Sequence, residues 1–295
     1  MAHSMLDDGK YIPGLTFLAK NEIECPICES KFMQEKLQSG GGRMISGEIT
    51  ELLHRRYLPS QKAGRVYPLI YSIVVCPNCF YATMAQDFMK APPESIGEIK
   101  AKTSERIEFA GKLSDEIIDY SKARTVESGA VSYALAVICY EHFKKKQSPV
   151  IKQALCSIRA AFLFEDLELE KPNRYYLYLA ELFYKKASFL YKHALDLNIK
   201  KEQIIETIGP LGPDTDKDYG FDGIVFLVGL LTYKYGDKTN TELRKRELDE
   251  AKISLGRLFG MGKSNFDKPK VILEKSKDYY DIINKELKEL EESAG

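Results

Sequence analysis

Four of the six cysteines fall in two Cys-Pro-x-Cys pairs, Cys25-Pro-Ile-Cys28 and Cys76-Pro-Asn-Cys79. A tetrahedral Zn²⁺ takes four thiolates, and a tight turn delivers two of them from positions i and i+3. Two such turns fill the coordination shell and leave no open position at which water could be activated. The expected cofactor is one structural Zn²⁺ per chain, held by Cys25, Cys28, Cys76 and Cys79. A redox site would need one such pair at a strand-to-helix turn in a βαβ unit, and no such unit is evident. The proline after each first cysteine stiffens the turn. Glycine is common just after the second, where positive φ can be required. Glu29 and Phe80 stand there instead. The 47 residues between Cys28 and Cys76 exceed the roughly 15–20 of compact ribbons. A small sheet must therefore form between the pairs and bring the two turns together.

Other residues could do chemistry, but with weaker patterns. His54 is the one histidine between the pairs, and an all-thiolate site has no use for it, so it reads as solvated surface. Arg55, Arg56, Lys62 and Arg65 follow as a basic loop and are candidate phosphate contacts. Against that role, residues 1–90 carry ten Lys/Arg and nine Asp/Glu, and the whole chain balances 43 against 43. Nucleic-acid binding usually needs a basic excess. Gly260-Met-Gly-Lys-Ser264 ends like a phosphate-binding loop, but Arg257 stands where the first glycine belongs and a helix precedes it. Asp214, Asp216 and Asp218 resemble the opening of a calcium loop that lacks its closing glutamate, and read as a polar, helix-capping stretch. Cys139 and Cys156 lie in apolar helical runs and read as core. No acid, base and nucleophile share a recognisable context, so the chain is expected not to be an enzyme, and no small-molecule substrate is inferred.

The elements that must position these residues divide the chain in two. The first 91 residues form a β-rich head, with Tyr67–Val75 its strongest strand and Ser39–Arg43 a turn. Phe80 to Met89 reads as the start of a helix, and Pro92-Pro93 ends it. From residue 92 to 295 the apolar period becomes 3.6. Helices are expected over 95–122 (with Ile96, Ile99, Ile107, Leu113, Ile117 and Ile118 inward), 129–143, 149–167, 222–235, 241–259 and 270–292, and Lys171-Pro172-Asn173 is expected to open a further pair of helices that reaches about Leu197. Ser148 should cap the helix that Pro149 opens. Small residues recur where paired helices would touch: Ala134, Ala154 and Ala161, then Ala180, Ala187 and Ala194, then Gly229 and Ala251. Successive hairpins of this kind suggest tetratricopeptide-like packing. The fold class is thus α+β, mostly α: a Cys₄ zinc head followed by a helical-hairpin body. The helices have their own core, so chelation is expected to melt the head first. Tyrosines crowd one hairpin, and Tyr175, Tyr178, Tyr184 and Tyr191 are candidate contacts to a protein partner.

The segment Tyr71-Ser-Ile-Val-Val-Cys-Pro-Asn-Cys-Phe-Tyr-Ala82 resembles a bacterial family catalogued as a domain of unknown function. Its members have an early Cys-Pro-x-Cys knuckle, a β-rich insert, the strand Tyr-x-Val-x-Val-Cys-Pro-x-Cys-Gly-Tyr-Ala and a tetratricopeptide-like tail. Phe80 replaces the glycine of that pattern. The resemblance implies that the four cysteines ligate zinc, and it implies no activity. No apolar run approaches the ~18 residues of a membrane span, and the first residues lack the pattern of a signal peptide. A cytoplasmic scaffold or adaptor that binds a protein partner through its helical body is the leading expectation. A nucleic-acid-associated regulator using the basic loop of the head is the alternative.

Overall fold

The computed structural model describes residues 15–38, 40–259 and 269–292. The phosphate-loop-like stretch at 260–264 and the N-terminal residues read for a targeting signal lie outside them.

The head is built of four two-stranded antiparallel ribbons. They pair β1 (Thr16–Leu18) with β4 (Glu35–Leu37), β2 (Ile23–Glu24) with β3 (Lys31–Phe32), β5 (Ile45–Ile49) with β6 (Arg55–Leu58), and β7 (Ile73–Val75) with β8 (Ala82–Met84). The cysteine pairs occupy the tips of the second and fourth ribbons. The long strand expected over Tyr67–Val75 shrinks to β7, because Pro68–Tyr71 forms a 3₁₀ turn. Similarly, Phe80 to Met89 is not an α-helix: β8 comes first and a 3₁₀ turn over Ala85–Lys90 follows.

The body holds eight α-helices among the described residues. The single helix expected over 95–122 is instead α1 (Ile96–Ala101) and α2 (Thr103–Lys112). Beyond them the Glu127 carboxylate accepts from the Ser114 hydroxyl and the Asp115 amide, local bonds that compete with helix propagation. Ile99 and Leu113 are buried as expected, but Ile107 is exposed and Ile117 is 97% exposed. The later helices are α3 (Val126–Tyr140), α4 (Pro149–Glu170), α5 (Arg174–Ile199), α6 (Gly220–Tyr235), α7 (Thr241–Phe259) and α8 (Lys270–Glu292). They match their periodicity closely except that the pair expected up to about Leu197 is the single helix α5, which no proline or glycine interrupts. Asn173 caps α5 by accepting from the Tyr175 amide. Ser148 does not cap α4: it adopts a left-handed conformation and donates to the Ile204 carbonyl, while Gln203 accepts from the Val150 amide.

Each long helix from α4 on packs against the one before it. The small residues serve this contact, since a Cβ on Gly229 would come within 2.7 Å of Leu255. Apolar contact also runs across the head–body boundary. Buried side chains from Cys25 to Leu287 form one continuous core. α3 is sheathed on all sides, and a Cβ on Gly129 would strike Ile70 at 2.5 Å. Polar bonds reinforce the seam: Tyr133 donates to the Leu69 carbonyl (3.0 Å) and the Met84 amide donates to the Tyr140 hydroxyl (3.1 Å). A head that melts by itself is at odds with this shared core.

Candidate metal centre

The two cysteine turns share one hydrogen-bond pattern. In the first, the Cys25 amide donates to Ser30 O and the Glu29 amide to Cys25 O, both at 2.9 Å. In the second, the Cys76 amide donates to Tyr81 O (2.9 Å) and the Phe80 amide to Cys76 O (3.0 Å). Closing each turn requires a left-handed residue just after the second cysteine. Glu29 (φ 63°) and Phe80 (φ 55°) adopt it without being glycine. Such a conformation costs on the order of 1 kcal/mol at each, so the turn must be held by something else.

The turns meet sulfur to sulfur. Cys25 Sγ lies 3.7 Å from Cys79 Sγ, and Cys28 Sγ lies 3.5 Å from Cys76 Sγ. All four ligand atoms fall within 4.8 Å of one another. Zn–S bonds of ~2.3 Å in a tetrahedron put sulfurs about 3.8 Å apart, so the cluster is of the right size for a metal ion. Cys25, Cys76 and Cys79 are buried and Cys28 half-buried, leaving little access for water. Hydrogen bonds from Cys25 and Cys79 hold the Cys76 thiol well below the usual thiol range, and the Cys76 sulfur in turn pushes Cys25 up. Crowded thiols of this kind release all their protons only to a cation.

The basic loop is committed elsewhere. His54 was expected at the solvated surface but is 4% exposed, its ring stacked on Phe162 at 4.5 Å. Leu53, buried and left-handed (φ 67°), turns the chain so that His54 points inward. His54 Nδ1 lies 2.6 Å from Asp214 Oδ2 and Nε2 lies 2.9 Å from Asp166 Oδ2. Two carboxylates can be served at once only by the doubly protonated ring. Burial opposes that charge, yet the bonds to Asp166 and Asp214 outweigh it and raise the pKa to about 9. With neither ring nitrogen free, His54 is a clamp joining head, α4 and the 209–219 loop, not a general base. Asp214, expected as a solvated capping residue, is buried and also accepts from the Arg55 amide at 2.8 Å. The Arg55 guanidinium is held by Asp216 and the Gly47 carbonyl. Arg56 is held by Asp166, Glu165 and Glu48, and Lys62 by the Gly41 carbonyl. Of the four candidate phosphate contacts, Arg65 alone pairs with neither a carboxylate nor a backbone carbonyl among the described residues. Among the tyrosines, Tyr184 and Tyr191 are buried in the core. Tyr175 is half-buried and donates to Lys112 O, whereas Tyr178 is 57% exposed.

Residues 18–283 match a family described as "Uncharacterized protein conserved in bacteria (DUF2225)". The chain belongs to this family. It is also 41% identical over 276 residues to an uncharacterized protein of Borreliella burgdorferi, covering 94% of this chain and 99% of the relative. No solved structure matches. The match to the DUF2225 family spans both cysteine turns and nearly all of the helical body, so head and body belong to one conserved description. No described helix is long and apolar enough to cross a membrane.

One residue outside the sequence-derived site tests whether the cluster fits a metal. Arg106 of α2 is 3% exposed. Its Nε and Nη2 donate to Cys79 O at 3.0 and 2.8 Å, and its other bonds go to Ile99 O and the Thr103 hydroxyl. None of these partners carries a charge. A guanidinium buried without a counter-ion is expensive. Four thiolates around a divalent cation carry a net charge of −2, which is the missing partner. The donor set and the orphan cation therefore both fit a metal–thiolate centre. Arg106 was invisible to motif reading, because only the fold brings it, 27 residues on, against Cys79.

Proposed function

We propose that the chain is a non-enzymatic, cytoplasmic scaffold whose Cys₄ centre binds one structural Zn²⁺ and whose tetratricopeptide-like body holds a protein partner. Zinc is favoured over other divalent ions because four thiolates in a closed tetrahedral shell suit a d¹⁰ ion with no redox demand. The reading of the body rests on α5. Tyr178 (57% exposed), Leu182 (42%) and Phe189 (67%) stand outward at helical spacing on one face of that helix. Tyr175 stacks on Tyr178, which extends the aromatic surface towards the start of the helix. Large apolar side chains exposed together commonly mark a contact surface.

The test uses a photo-crosslinking residue at position 178 or 189, with a third variant carrying it at Glu108 on the exposed face of α2. Crosslinking of one stoichiometric protein from positions 178 and 189, but not from 108, supports the scaffold. Equal labelling from all three positions would sink it. The same preparation should give no salt-dependent gel shift with duplex or single-stranded nucleic acid, because the guanidiniums of Arg55 and Arg56 are already paired within the protein.

A further inference from the structure

A cleft of about 670 Å³ opens between the β5–β6 ribbon, the segment that follows it and the C-terminal half of α4. Its size lies within the range of small-molecule sites. The surface it exposes is more apolar than polar, and five aliphatic side chains contribute to it. Val66, Leu69 and Leu163 are buried within it, and Leu58 and Leu169 stand at the rim, 53% and 55% exposed. Two leucines left this open at the mouth of a cleft present apolar surface that an occupant would cover. The His54–Asp166–Asp214 clamp closes one end.

The charges on the walls state what kind of head group fits. Every carboxylate lining the cleft is already engaged: Asp166 by His54 and Arg56, Asp214 by His54 and two backbone amides, Glu48 by Arg56. Arg55 and Arg56 are engaged by those and neighbouring acids. Arg65 meets no acid among the described residues: its hydrogen-bond partner is the Tyr67 hydroxyl, which itself donates to Glu170 at 2.5 Å. The cleft thus offers an aliphatic trough with one guanidinium at its edge that no carboxylate neutralises among the described residues. A cationic ligand would find no free acid on these walls, and a wholly apolar one would leave the guanidinium unused. A guanidinium fork fits a carboxylate in two parallel hydrogen bonds.

We propose that this cleft binds an aliphatic carboxylate, its chain against Leu58, Leu163 and Leu169 and its carboxylate on Arg65. The same chemistry is presented by a free alkanoic acid and by the C-terminus of a leucine-ended peptide. The site uses none of the residues of the α5 contact face, so either can fail alone.

Titration calorimetry on the full chain tests it with three probes: decanoate, acetyl-Leu-Leu with a free carboxylate, and decanol. Saturable one-to-one binding of decanoate or of the peptide is expected, and which of them binds tighter identifies the source. Decanol should bind at least tenfold more weakly. Arg65→Gln, at an exposed position where folding is not at stake, should weaken the carboxylate at least tenfold and leave decanol unchanged. Leu58→Glu and Leu169→Glu, also at exposed positions, should abolish binding. The proposal is overturned if neither carboxylate binds, if decanol binds as well as decanoate, or if Arg65→Gln binds like the wild type.

Discussion

Replacing Arg106 by methionine should weaken metal binding while leaving the fold in place. The guanidinium lies 2.8 Å from the Cys79 carbonyl. Bond lengths along Cys79 then put its sulfur roughly 7 Å from that charge. With an effective dielectric of about 20, a −2 centre at that distance is worth about 5 kcal/mol to the cation. Water entry and side-chain relaxation will recover part of this, so a loss of about 2–4 kcal/mol is expected. That corresponds to a fall in zinc affinity of roughly 30- to 1,000-fold. The effect should shrink once the metal is removed. In the stripped protein the cluster facing Arg106 no longer holds four thiolates, so replacing the guanidinium costs mainly the bonds it gives to the Cys79 and Ile99 carbonyls. Competition for Zn²⁺ against a chelating dye measures the first effect, and urea unfolding with and without chelator measures the second. Arg106→Lys keeps the charge and should stay within about tenfold of the wild type, which separates the electrostatic effect from the lost hydrogen bonds. A methionine variant with unchanged circular dichroism and zinc affinity within threefold of the wild type would refute the counter-ion argument.

Elemental analysis should find about one zinc per wild-type chain, as a Cys₄ site requires, and Cys76→Ser should be well below that. His54 should make stability depend on pH. Its folded pKa of about 9 lies above the unfolded 6.5, so its contribution is complete below pH 6.5 and is lost as pH rises towards 9. The loss is about 3 kcal/mol, read from urea midpoints at the two pH values, and His54→Gln should remove most of that slope. Gly129→Ala should cost about 1–3 kcal/mol, because the added methyl meets Ile70 at 2.5 Å with the Ile70 backbone just behind it. A cost near zero in thermal unfolding would show that the head can slide on α3.

The cysteine pairs were legible because the chemistry of a thiolate turn is local: four residues contain the whole signal. The later helices were legible for a related reason. Alternation such as Ile272, Ser276, Tyr279, Ile283 and Leu287 on α8 repeats over several turns, and all five are buried. Strands of two or three residues, such as β2 and β8, have no room for a period, so the ribbons could not be delimited. The break at Lys102 between α1 and α2 carries no proline or glycine and was read through as helix. His54 was misplaced because its partners Asp166 and Asp214 lie 112 and 160 residues away. A residue whose role is set by contacts that distant shows only its neighbours in the sequence, here two arginines and a leucine, and these suggested a solvated basic loop. The tyrosines of α5 were grouped by density, whereas the fold sorts them by phase: positions 184 and 191 face inward and 178 outward.

The distance between the cysteine pairs then acquires a mechanical meaning. A metal that joins Cys28 to Cys76 closes a loop of about 50 residues, and closure of such a loop removes about 4 kcal/mol of entropy from the unfolded chain. That loop contains β5, β6 and the segment from Arg65 to Leu69, which together form most of the non-helical wall of the cleft. One end of the wall is pinned by the cysteine clasp and its middle by the His54 clamp on α4. The Tyr133 bond to Leu69 O pins the other end on α3. Of the three fastenings the cysteine clasp lines no part of the cleft, yet all three fix the wall that faces it. Two-stranded ribbons are marginal alone, and these would not hold a wall in place without such fastenings. The metal centre and the cleft are therefore coupled through the backbone between them: losing the clasp frees one end of the wall and should loosen the cleft without removing any residue that lines it.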